Sequence, residues 1–258
     1  MGLWVLCKLQ LISKKTMTSV NFLQSIQTNF QVLLDKNEQK ALGGIDVFLK
    51  SYQEKFIEIK SQELVKLGKN PLEAVNSARQ SWRPLVGDIL VRLIKIGVDK
   101  LALELDFEVC EDKELKKGGL TEKLSLVRRY IEIQYEEYSL IPDGDLILYR
   151  FDEQSSKVEV LAILSFKTSF RERFTETPYW KLKLKEQKIT ENIKVLMVTT
   201  DNDDEIAFAT KNKQPRKARI VMEYELDGIF IANERFEQSA KVHQIHHLFE
   251  FLRKLCQK

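Results

Sequence analysis

The hydrophobic pattern of this 258-residue chain changes its period at Pro142, and that change constrains the fold more than any other feature. Before it, apolar residues return every third or fourth position, as one face of a helix requires. Phe22, Leu23, Ile26, Phe30, Leu33 and Leu34 make the first such stripe. Val47, Phe48, Tyr52, Phe56, Ile59, Leu64 and Leu67 make a second, on one helix expected from Ala41 to Leu67 and closed by Gly68 and Asn70-Pro71. A third helical segment starts near Pro71. Pro84 is expected to restart or kink it before the apolar run Leu85 to Ile96. Lys116-Lys117-Gly118-Gly119 reads as a loop, and Thr121 opens a helix through Leu124, Val127, Tyr130, Ile131 and Tyr135.

Beyond Pro142 the apolar runs are short and rich in Val, Ile and Leu. Leu146 to Tyr149 and Val158 to Phe166 read as two strands joined by the polar turn Asp152 to Lys157. A helix from Thr177 to Gln187, a strand from Ile193 to Thr199, a turn from Asp201 to Glu205 and a strand from Gly228 to Ala232 follow. Lys241 to Leu255 is expected as a closing amphipathic helix. The fold class is therefore α/β (α+β), with the core in residues 138–258. Residues 1–137 form a mostly helical part that can pack with the core as one domain.

Composition excludes several classes. Hydrophobic residues at 43% against 31% charged residues describe a globular chain rather than a disordered one. The balance of 41 basic and 38 acidic residues, a net charge of +3, excludes a strongly polybasic binder but allows a local basic face. The odd set Cys7, Cys110 and Cys256, with no CxxC, fits a reduced compartment, and a cytoplasmic location is expected. The apolar run Leu3 to Ile12 contains Lys8 and is too short to span a bilayer, so no membrane association is expected. Met17 follows Lys14-Lys15, which makes residues 1–16 readable as an extension upstream of a second start.

The chemistry concentrates between Ile141 and Lys183. Asp143 and Asp145 stand two apart at the mouth of a strand and so point to one face. Lys167, beside Ser165, lies at the end of the next strand, and a short antiparallel turn would bring it next to both aspartates. Carboxylates converging on a lysine are what metal-assisted phosphodiester hydrolysis needs. Thr168, Ser169, Arg171 and Arg173 follow at once, hydroxyl and guanidinium donors suited to phosphate oxygens and guanine edges.

This stretch resembles the PD-(D/E)xK nuclease superfamily, and more narrowly the type II restriction endonucleases that carry a KTSxRER signature. Pro142-Asp143-Gly144-Asp145 matches the PD element, Ser165-Phe166-Lys167 occupies the (D/E)xK position, and Lys167-Thr168-Ser169-Phe170-Arg171-Glu172-Arg173 is the signature. The resemblance implies a restriction-endonuclease-like core, a central mixed sheet flanked by helices, with residues 1–137 giving a dimerisation or DNA-clasping surface, and Mg²⁺-dependent, sequence-specific cutting of double-stranded DNA. It also implies a homodimer matching a palindromic target and a companion DNA methyltransferase protecting the host. On the same resemblance Asp145 is the main metal ligand, Asp143 the second choice, and Lys167 the catalytic lysine.

Two positions depart from the pattern. Ser165 supplies no carboxylate, and Glu172 or Glu176 is expected to compensate. Upstream, Ser81-Trp82 and Gly87 match the context of a helical glutamate, but Val91 stands where the acid is expected, leaving Asp88 one turn earlier as the substitute ligand. Lys181, Lys183, Lys185 and Lys188 form one basic cluster, and Lys211, Lys213, Arg216, Lys217 and Arg219 a second. Each is a candidate for DNA-backbone contact, with Lys181 and Lys183 foremost. His243, His246 and His247 are expected on one helical face but lack a fourth ligand for zinc. The alternatives are a structure-specific or repair nuclease on the same fold, and a non-catalytic DNA-binding module.

Overall fold

The computed structural model describes residues 19–170 and 173–257. The expectations for residues 1–16, Cys7, Arg171 and Glu172 lie outside the described residues. Four helices come first: α1 (Ser19–Lys36), α2 (Glu38–Gly43), α3 (Ile45–Lys66) and α4 (Pro71–Leu105). The single helix expected from Ala41 to Leu67 is two, because the chain turns at Gly43-Gly44 and α3 restarts at Ile45. Conversely α4 runs unbroken through Pro84. Proline removes a helical donor at a cost of about 3 kcal/mol. Here Pro84 and Gln80, the residue one turn before it, are both exposed, so water can serve the freed carbonyl. Ala78, Trp82, Val86 and Ile89 are meanwhile buried along the same helix and keep it continuous.

After α4 the chain forms β1 (Glu108–Glu111), the one-turn helix α5 (Asp112–Leu115), α6 (Glu122–Ile131) and a small hairpin, β2 (Ile133–Tyr135) with β3 (Tyr138–Leu140). Thr121 caps α6 by accepting from the Leu124 amide, as its position suggested. The core strands β4 (Leu146–Asp152) and β5 (Lys157–Lys167) follow, then α7 (Glu176–Lys185) and β6 (Lys194–Thr199). A second hairpin, β7 (Thr210–Lys211) with β8 (Gln214–Pro215), leads into α8 (Lys217–Glu225). The chain ends with β9 (Gly228–Ile231), β10 (Val242–Gln244) and α9 (His247–Cys256).

Six strands form one sheet in the order β1-β4-β5-β6-β9-β10. The β1-β4-β5 half is antiparallel and the β5-β6-β9-β10 half parallel, so the sheet is mixed. Period-2 alternation divides its residues between two cores. Leu146, Leu148, Leu164, Leu196, Val198 and Phe230 face α1 to α4 and α9. Ile147, Tyr149, Ile163, Val195, Met197 and Ile229 face α6, α7 and α8. A bulge at Leu148/Tyr149 sets Leu161 and Ala162 together in the first core. The helices of the first part and the sheet of the second thus share apolar packing. The 137/138 division falls in the β2–β3 turn, and β1 from before it pairs with β4 from after it.

Two corrections concern short strands. Glu108–Glu111, in the part expected to be helical, is the edge strand of the sheet, because Cys110 reaches the second core only when extended along β4. Val242–Gln244, expected as the start of the last helix, pairs in parallel with β9, and α9 begins at His247. At the close approach of α4 to α9, a β-carbon at Gly97 would run into the Phe249 ring. Arg253 of α9 also grips Glu38 of α2 through two bonds of 2.8 and 2.7 Å. Cys110 and Cys256 are buried and unbridged.

Candidate active site

The corner before β4 is fixed by backbone. The Asp145 amide donates to the Leu164 carbonyl at 2.8 Å, and the Phe166 amide donates to Asp145 Oδ2 at 2.6 Å. Gly144 lets this corner lie on β5, since a β-carbon there would meet the Ile163 side chain. Antiparallel pairing of β4 with β5 therefore delivers Asp145 beside the Ser165–Lys167 end of β5. Burial pushes the Asp145 carboxyl up to about 6. The Phe166 amide and the Lys167 ammonium pull it down, while Asp112 and Asp143 add to the rise.

The first turn of α7 sits over the end of β5. Lys167 Nζ lies 2.6 Å from Glu176 Oε2, and Ser165 Oγ lies 3.2 Å from Thr177 Oγ1. Ser165 is buried, so the hydroxyl in the acidic position is occupied with α7 while Glu176 brings a carboxylate to the lysine. Asp143 is exposed and lies 3.5 Å from Lys116. A cleft of about 180 Å³ is lined by Asp88, Val91, Arg92, Glu111, Asp112, Lys113 and Asp145. Asp88 and Asp145 thus come to one cavity, with Val91 beside them.

Glu111 and Asp112 line the same cleft without having been singled out by the sequence. The signal was local: Glu111 and Glu114 form a capping box around α5. It gave no hint that β1 would carry them to β4. Among the described residues, no group of three or more His, Cys, Asp or Glu side chains is arranged to hold a metal ion. The donor set nonetheless fits a hard cation, since its acids offer carboxylate oxygens and one of them, Asp145, is half-buried with Asp112 and Asp143 near it.

The loop after Lys167 is tied to the next one along the sheet. The Thr168 carbonyl accepts from the Asn202 amide at 2.8 Å, and the Phe170 amide donates to Asp203 Oδ2 at 2.9 Å. Ser169 is half-buried and Arg173 exposed. The turn expected at Asp201 to Glu205 is organised by buried Asp201, which accepts from the amides of Glu205, Ile206 and Ala207.

Two basic candidates are corrected. Lys181 is 2% exposed and binds Asp227 at 2.6 Å and the Ile193 carbonyl at 2.7 Å, so it cannot reach DNA. Arg219 is also 2% exposed, spent on Glu223 and on the carbonyls of Ile206 and Glu237. Lys183 pairs with Glu186 beside the Tyr135 ring. The histidines share no helical face, because His243 is on β10 and His247 on α9; their rings are 6.1 Å apart.

A mixed sheet with an acid and a lysine at one strand end, and a hydroxyl-rich loop beyond, is the arrangement that phosphodiester hydrolysis by a nuclease calls for. The fold alone is shared with the restriction endonuclease PspGI in its substrate-DNA complex, at a TM-score of 0.56 and 11% identity, covering 95% of this chain and 96% of that one. The family model described as BsaWI restriction endonuclease type 2 matches residues 121–255. A relative from Methanocaldococcus jannaschii, named "Putative type II restriction enzyme MjaVIP", is 39% identical over 221 residues, 84% of this chain and 95% of its own length. Another from Helicobacter pylori, named "Probable type II restriction enzyme HpyAORF263P", is 40% identical over 169 residues, 66% and 86% of the two chains. The chain belongs to the BsaWI-type family of type II restriction endonucleases. Membership carries a divalent-metal cofactor with it. No helix among the described residues is long and apolar enough to cross a membrane.

Proposed function

We propose that this restriction endonuclease cuts both strands of duplex DNA with Mg²⁺, working from the end of β5 where Asp145, Lys167 and Glu176 converge. That convergence is the observation that carries the reading, because it joins a half-buried carboxylate to an ion-paired lysine across two strands and a helix. Asp145 would hold the cation, with Glu176 in place of the acid that Ser165 lacks, and Asp88 or Asp143 as the further ligand. When bound, Mg²⁺ supplies Lewis-acid polarisation of the scissile phosphate and a more acidic water.

The rest falls to the chain's own groups. Lys167 orients the water that attacks phosphorus in line, and its ammonium offsets the charge that builds on the phosphate oxygens. The attacking water gives up a proton to solvent as the phosphorus–oxygen bond forms, the bond to the leaving sugar oxygen breaks, and that oxygen takes up a proton from solvent. Glu176 keeps the ammonium in place. Thr168, Ser169, Arg171, Arg173 and Lys183 hold phosphates and read base edges. A homodimer would match a palindromic site, and a companion methyltransferase would protect the host's own copies.

Incubation with unmethylated phage DNA, with Mg²⁺ or with EDTA, tests the reading on a gel. Discrete bands in Mg²⁺ alone are expected. A smear would point to a repair-type nuclease on the same fold, and intact DNA to a binding module in which Ser165 marks a lost site.

A further inference from the structure

We infer that the β7–β8 hairpin together with the first residue of α8, residues 210–217, is a second DNA-gripping element that holds duplex phosphates through Lys211, Lys213 and Lys217. The inference rests on the nuclease reading and adds to it a contact far in sequence from the KTSxRER loop. Four observations carry it.

The first is position. β5 and β6 run parallel with Lys167 opposite Thr199, so the loops leaving both strands emerge from the same edge of the sheet. The hairpin belongs to the loop after β6, and that loop is bonded to the one after Lys167 through Thr168–Asn202 and Phe170–Asp203. Phe174, one residue past the signature, lines a cleft of about 430 Å³ together with Lys211, Asn212, Arg216 and Lys217.

The second is charge. Some surface lysines, such as Lys50, Lys95, Lys123 and Lys254, lie on an acidic partner, whereas others, such as Lys36, Lys66 and Lys157, stand exposed one at a time along the chain. Among the described residues Lys211, Lys213 and Lys217 hold no ion pair, although all three are exposed. Withdrawing Arg219 into the fold leaves these three as an uncompensated positive tip.

The third is rigidity. The Arg216 amide closes the base of the hairpin on the Ala209 carbonyl at 2.9 Å, and its guanidinium pairs with Glu205 at 2.6 Å. A two-stranded ribbon of this kind is of a width that the DNA major groove admits.

The fourth is strain at the tip. Asn212 and Lys213 have φ of 53° and 65°, as the central pair of a two-residue hairpin turn requires. Asparagine is a favoured choice there, but the second position prefers glycine. Lys213 stands at that second position and carries its ammonium on the turn.

Lys213→Gly separates the two roles, because it creates the preferred Asn-Gly turn while deleting the ammonium. Binding to a short labelled duplex is measured over a salt series, with Ca²⁺ replacing Mg²⁺, for wild type, Lys213→Gly and Lys211→Ala/Lys217→Ala. The salt slope should fall by about 1 for the single variant and about 2 for the double, as for lost phosphate contacts. Melting temperature should stay level or rise for Lys213→Gly. Wild-type affinity and slope in both variants, from a wild type that binds and cuts, would overturn the hairpin assignment and leave the nuclease reading standing. A wild type that neither binds duplex nor cuts it would sink the nuclease reading and the hairpin with it.

Discussion

Two lysines fourteen positions apart make the same contact in different surroundings. Lys167 and Lys181 each place Nζ 2.6 Å from a carboxylate, Glu176 in one case and Asp227 in the other. At the end of β5 the pair is partly open, with side-chain exposures of 19% and 36%; between α7 and β6 it is closed, at 3% and 19%. A closed pair is held by the fold and serves it, since either partner left alone would be a buried charge. An open pair contributes little to stability and is available for chemistry. Distance alone does not separate the two roles, whereas access to solvent and to a phosphate does.

The comparison breaks most easily at Lys167. Lys167→Ala should slow single-turnover cleavage by about 10²–10⁴-fold while moving stability by less than about 1 kcal/mol. Wild-type cutting by this variant would remove Lys167 from the mechanism. Lys181→Ala should do the reverse, costing about 3 kcal/mol or more in denaturant unfolding with an unchanged cleavage rate per folded molecule. A variant that folds normally but loses DNA affinity would return Lys181 to the interface.

A smaller effect is expected at Asp145. Its folded value of about 6 lies above the ordinary 3.8, so between those values the fold binds more protons than the unfolded chain. Metal-free stability should therefore decline as pH rises through that window and stay low above it. Asp145→Asn, which can still accept from the Phe166 amide, should raise metal-free stability at pH 8 by about 2 kcal/mol while abolishing cleavage. In the wild type, metal affinity should weaken about tenfold per pH unit below about 6, because the cation must displace a proton. A flat metal titration across that range would place the ligand elsewhere. The smallest change is Glu176→Gln, expected to weaken apparent metal affinity about tenfold with little effect on folding. Unaltered affinity would mean that another acid stands in for Ser165.

Much of this was legible because it is local. β4, β5, α7, β6 and β9 each carry their own period or turn, and Asp145 and Lys167 meet through one antiparallel pairing. Glu111 and Asp112 escaped because four residues of β1 and one turn of α5 have no period of their own; they reach the cleft only through pairing with β4. Lys181 was misread because a lysine followed by further lysines looks solvated in one dimension. Only the packing of α7 on β6 reveals Asp227 beneath it. At Pro84 the helix does not restart, because a strong local breaker is outweighed by a buried stripe on either side.

The β4–β5 pairing also bears on the order of assembly. Asp145 and Phe166 are 21 positions apart, whereas Arg253 and Glu38 are separated by 215. Closing a short loop costs less entropy and takes less time than closing a long one. The acid and the lysine can therefore be brought together within a nascent hairpin, well before the two ends of the chain find each other.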